Sequence, residues 1–208
     1  MEANRAVEHL QVIRTLMERS AIYRRALKPT MLLLACIGLV AAAAGWLLGI
    51  QTSHGFGLYW ILVSLVAISL AFIAVRRQAL RDGEPLWSPP TRRVIQACVP
   101  PLFVGLVMSL LLASTLGDTA EEGWWFLPGW MSLYGCAMHA AGFFMPRGIK
   151  LFGWAFIITG ALTGVGLKLA GELPPLLVAH GCMGFFFGGL HLGYGLYLHF
   201  TETRKNEA

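Results

Sequence analysis

The long apolar stretches of this chain contain no aspartate or glutamate: all 11 acidic residues lie between or outside them. An ion-coupled carrier commonly needs a carboxylate at bilayer depth, so this absence argues against a proton- or sodium-driven transporter. It also removes the paired carboxylates of acid–base catalysis. No glycine loop has a phosphate-binding form, and no serine–histidine pair has the surroundings of an intramembrane protease. The four cysteines, Cys36, Cys98, Cys136 and Cys182, all belong to the membrane segments. None stands in a loop where an oxidising compartment would close a disulfide, so they read as small core residues. Cations are missing too, from the connections at 51–56 and 117–123.

What is present is hydrocarbon. Of the 208 residues 56% are hydrophobic and 13% charged, with a mean hydropathy of +0.63. Apolar runs occupy 31–50, 57–75, 99–116, 124–145, 151–170 and 176–200. Each has about the 20 residues that ~30 Å of hydrocarbon demands of a helix. Fifteen of the 16 Lys and Arg fall before the first run, in the second and fourth connections, or in the C-terminal tail. Lys168, near the end of the fifth run, is the exception and can snorkel. This is the positive-inside pattern with both termini cytoplasmic. The fold class is therefore all-α: a polytopic membrane protein of six transmembrane helices (31–200) after a cytoplasmic amphipathic helix (1–30), with a short cytoplasmic tail (201–208).

A net charge of +5 and a pI near 9.3 would suit a nucleic-acid partner in a soluble protein. Here topology consumes the basic residues, several of which face anionic head groups, and no basic patch alternates with stacking aromatics. The expected partner is the lipid bilayer and not nucleic acid. In the N-terminal helix Val7, Leu10, Ile13, Leu16 and Met17 share a face opposite Glu8, Arg14, Glu18 and Arg25. That face suits a membrane surface, a membrane-protein partner or a second copy of the chain. No cleavable signal peptide is expected.

Punctuation along the chain is specific. Asp82-Gly83 should stop the second helix, because glycine permits a left-handed cap. Ser88-Pro89-Pro90 offers a new start. Pro100-Pro101 should kink the third helix or mark its true beginning. Thr119 and Glu122 have capping-box spacing and should open the fourth helix. Trp46, Tyr59, Trp60, Trp124, Trp125 and Trp130 form an outer aromatic belt.

Histidines are where chemistry could be. In the last helix His180, Gly184, Gly188, His191 and Gly195 project onto one face at helical spacing. Such a stripe admits another helix or a flat ligand close to the backbone, and Gly160 and Gly164 on the fifth helix offer a partner surface. His191 should hydrogen-bond a hydroxyl or carbonyl of the fourth or fifth helix. His139 and His191 lie at equal depth, so the pair could be axial ligands of a b-type haem. Cys136 and His139 with Cys182, Met183 and His180 give a second, soft-metal set.

The stretches IRTLMERSAIY (13–23), LWSPPTRR with Val99-Pro100-Pro101-Leu102, LPGWMSLYG (127–135) and FGGLHLGYGLYLHFT (187–201) resemble an uncharacterised family of bacterial multi-pass membrane proteins found among Verrucomicrobia and related groups. The resemblance implies an integral protein of the bacterial inner membrane and supplies no chemistry. Gly188, Gly189, His191 and Gly195 belong to it, and His139 does not. The expected function is non-enzymatic, as a sensor, regulator or assembly component without cofactor. The alternatives are a haem b electron carrier through His191 and His139, and a conduit for a small neutral solute.

Overall fold

The computed structural model describes residues 26–206, except 84, 116–117 and 146. The amphipathic face read in the N-terminal segment lies outside the described residues. Every regular element among them is a helix. α1 covers Ala26–Leu47. There follow α2 (Ser53–Arg81), α3 (Pro89–Thr115), α4 (Ala120–Gly123), α5 (Phe126–Ala141) and α6 (Arg147–Leu169). α7 (Leu176–Met183) passes through a π-helical stretch, Gly184–Leu190, into α8 (His191–Asn206), making one continuous rod.

Five helices are long and apolar enough to cross a membrane: Ala26–Leu47, Ser53–Arg81, Thr91–Ser114, Gly148–Leu169 and Leu176–Thr201. The fourth apolar run differs from the span expected over 124–145. Thr119 and Glu122 do form a capping box, but it closes only the four-residue α4. A turn at Trp124-Trp125 then intervenes, and α5 has 16 residues, about 24 Å of rise against ~30 Å of hydrocarbon. The other punctuation lies where the residues put it. Thr52 caps α2 by accepting from the Gly55 amide, Asp82 ends α2, and Gly83 takes φ 65. α3 begins at Pro89 and carries Pro100 and Pro101 inside it, so that pair does not open the helix.

Two seams hold the bundle, and glycine makes both. Between α5 and α6, a Cβ on Gly135 would lie 2.7 Å from the Gly153 carbonyl oxygen, one on Gly153 2.5 Å from the His139 amide, and one on Gly160 2.6 Å from Ser132 Oγ. Real side chains do not approach that closely, so the backbones touch only because hydrogen stands in place of carbon. Gly160 and Gly164 thus face α5 rather than the last helix. The second seam joins α1 to the rod. Gly184 meets Ala42, Gly188 meets Leu39 and Gly195 meets Leu32, while Gly38 of α1 meets the Phe187 carbonyl and Gly45 meets the His180 ring. Residue numbers fall on α1 as they rise on the rod, so the two run antiparallel. α2 and α3 pack far less: 6% of each apolar window is buried, against 28% for α1 and α6 and 39% for the rod.

Candidate functional site

The loose packing of α2 and α3 leaves a cavity of about 660 Å³, within the ~300–1,000 Å³ range of small-molecule sites. Its walls come from α1, α2, α3, α5 and the rod, and they are almost wholly apolar. Lining residues on α2 run from Trp60 to Val75, which is about 22 Å along the helix axis. The space is therefore elongated along α2. It opens sideways, because Leu65, Ile68 and Phe72 on α2 and Val99, Phe103 and Leu106 on α3 both line it and are exposed.

His191 is 2% exposed and lines this cavity. Its Nε2 lies 2.6 Å from the Tyr134 hydroxyl of α5, and its ring packs on Phe152 and Phe156 of α6. Nδ1 has no partner of good hydrogen-bond geometry, with the Phe186 and Phe187 carbonyls of the π-helical stretch nearby. The Tyr–His bond pins the rod to α5. It also separates His191 from the glycine face assigned to it by a uniform 100° projection. The glycines turn to α1 while the imidazole turns to α5 and α6, and the π-helical stretch between them has more residues per turn than that projection assumes.

His180 is fully buried. The Trp60 indole donates to its Nδ1 at 3.1 Å, and its Nε2 lies 3.1 Å from the Ile50 carbonyl oxygen. An indole can only donate and a carbonyl only accept, so the partners fix the neutral Nε2–H tautomer. His180 is a strut between the rod, α2 and the α1–α2 connection. It explains why Trp60 is not a belt residue. Trp124 and Trp130 also turn inward, donating to the Pro174 carbonyl and to Ser109 Oγ, as a buried indole N–H requires. Trp46 and Trp125 remain exposed.

His139 packs between Phe143 and Trp154, whose rings are exposed, and it does not line the cavity. The two candidate axial ligands thus face different surroundings, and the His191 Nε2 is taken by Tyr134. The bis-histidine haem arrangement has no support in that geometry. Among the described residues no group of three His, Cys, Asp or Glu could hold a metal, and all four cysteines are free thiols. Of the residues singled out in the sequence, His180, Gly184, Gly188 and Gly195 come together on α1, whereas His191 turns to Tyr134 of α5 and to α6 and His139 packs on Phe143 and Trp154. Tyr134 was missed. Its signal was a tyrosine in the middle of an apolar run, far from either aromatic belt. No protein family, curated protein or solved structure matches the chain.

Proposed function

We propose that this protein is a non-enzymatic component of the bacterial inner membrane, a sensor or regulator that reads the bilayer through a lipid chain held in its lateral cavity. The observation that carries the reading is the cavity: elongated, apolar and open at one side. Apolar walls suit a hydrocarbon chain better than a haem, which needs axial ligands. A small neutral solute would want polar groups along a continuous path, and the hydroxyls lining this cavity are bonded within the protein. In this reading α5 crosses the membrane as the sixth span, and the charge distribution sets both termini in the cytoplasm. The glycine face of the rod is covered by α1, so a protein partner would dock elsewhere.

Tryptophan quenching tests it. Trp60 and Trp130 line the cavity, and the exposed Trp46, Trp87, Trp125 and Trp154 can be replaced by phenylalanine. Phosphatidylcholine with brominated chains should then quench the remaining fluorescence, and Ala71→Phe, which fills the cavity, should relieve the quenching. Equal quenching with and without the filling residue would refute the reading. A Soret band lost in His191→Ala would replace it with the haem alternative. Cysteines engineered at 118–123 should label from outside intact cells, and labelling only after the inner face is opened would reverse the orientation.

A further inference from the structure

The cavity ends beside two arginines. On α2 the lining residues run from Trp60 to Val75, and Arg76 is the next residue in the chain, not itself part of the lining. On α3 the lining reaches down to Thr91, which Arg92 adjoins. The two arginines flank the short 82–88 connection, from which Leu86 closes that end of the cavity. Lys28 stands beside Leu27, which lines the α1 wall there. Arg76 and Arg92 are exposed. At the opposite end the polar groups are neutral: Trp130 is bonded to Ser109, and Trp60 to His180.

We propose that the cavity selects an anionic phospholipid, one chain lying between α2 and α3 and its phosphate seated by Arg76 and Arg92. This rests on the chain-holding reading above and adds the identity of the head group. Shape and charge support it jointly. The cavity gives apolar space running along the helices, and next to the last lining residue of each helix, at the same end, stands an arginine. Guanidinium matches a phosphate oxygen pair in geometry as well as in charge. A polybasic cluster on a membrane surface would attract anionic lipid diffusely. Here the attraction is tied to a slot that takes one chain, so it should saturate at one lipid per protein.

The test is retention of lipid through detergent exchange, read by mass spectrometry of the intact complex. The probes are dioleoyl phosphatidylglycerol and dioleoyl phosphatidylcholine, which share their chains. One phosphatidylglycerol should remain bound, preferred over phosphatidylcholine by about fivefold for each guanidinium at low salt, with the preference shrinking as salt is raised. Arg76→Gln with Arg92→Gln should remove the preference and keep residual binding of both lipids. Ala71→Phe should lower both lipids together, and Gly105→Leu, whose Cβ would meet only Leu133 at an ordinary 3.6 Å, serves if the first variant does not fold. If both lipids bind equally to the wild type and both are lost on filling, the head-group inference fails and the chain-holding reading stands. If filling changes neither, both fail. A dimeric mass without lipid would put a second copy in the cleft and overturn the proposal.

Discussion

α5 and α6 are separated by backbone contact, whereas α2 and α3 are separated by a cavity. Both pairs are consecutive, antiparallel and apolar. What differs is where the small residues fall. Gly135, Gly153 and Gly160 lie on the facing sides of α5 and α6, and a Cβ at any of them would sit within 2.7 Å of the neighbour. α3 has Gly105, but its Cβ would meet only Leu133 of α5, at 3.6 Å, and the cavity side of α2 carries Leu, Ile and Phe beside Ser64, Ala67 and Ala71, with no glycine. In lipid there is no hydrophobic force to press helices together, so close approach must be written into the interface residue by residue. Where it is written, as on α5–α6 and on α1 with the rod, a wall forms. Where it is not, the helices stand apart and leave the cavity between them.

The comparison breaks most severely at Gly153. Gly153→Leu drives a side chain into the α5 backbone at His139 and should cost more than about 3 kcal/mol, beyond the usual range for overpacking. Loss of folded protein on size-exclusion chromatography checks this. A normal elution profile would mean that α5 and α6 can part without consequence.

Tyr134→Phe is milder. It removes the hydroxyl that satisfies His191 Nε2 while keeping the ring packing on Phe156 and Phe187. The expected loss is about 1 kcal/mol, between the measured average for membrane hydrogen bonds and the cost of a buried unsatisfied group. Thermal unfolding should report it as a drop of roughly 2–4 °C for a chain of this size. No change would mean that the imidazole finds another partner, such as the Phe186 carbonyl.

The smallest effect belongs to the α2–α3 side. Asp118 accepts from the His54 amide at 2.9 Å and lies 2.9 Å from His54 Nδ1. The amide, more than the imidazole, holds its carboxyl below the usual carboxylate range. A depressed value means the contribution is present above the ordinary pKa and fades as pH falls through the lowered one. Asp118→Asn should therefore alter stability slightly at neutral pH, and the difference from wild type should vanish on strong acidification. Unfolding midpoints for the two proteins across an acid titration decide it, and a gap that widens in acid would contradict the assignment.

Much of this was legible in the residues because it is local. Asp82-Gly83 ended α2 and Ser88-Pro89 opened α3, since caps and turns need only their neighbours. Five of the six expected span-length helices and the glycine face of the rod were also readable. Which helix covers that face was not, because a small-residue stripe states that something comes close without naming it, and α1 was reached only through Gly38 and Gly45. The division of the fourth run at Trp124-Trp125 was hidden because both residues are as apolar as the helix around them. The position of His191 depended on a π-helical turn that a uniform projection erases. The cavity had no sequence signature, being the consequence of contacts that are absent.

The most direct measurement is a matched pair of substitutions, Gly188→Leu on the rod and Gly105→Leu on α3, compared by thermal unfolding in one detergent. A Cβ on Gly188 would lie 2.7 Å from Leu39 Cγ and 2.9 Å from its amide, so overpacking by about 2–3 kcal/mol should lower the midpoint by roughly 5–10 °C. The same leucine at position 105 enters the cavity and should leave the midpoint unchanged or raise it, since leucine forms helix better than glycine. Equal losses at the two positions would contradict the division into a glycine-sealed wall and an open lateral cavity.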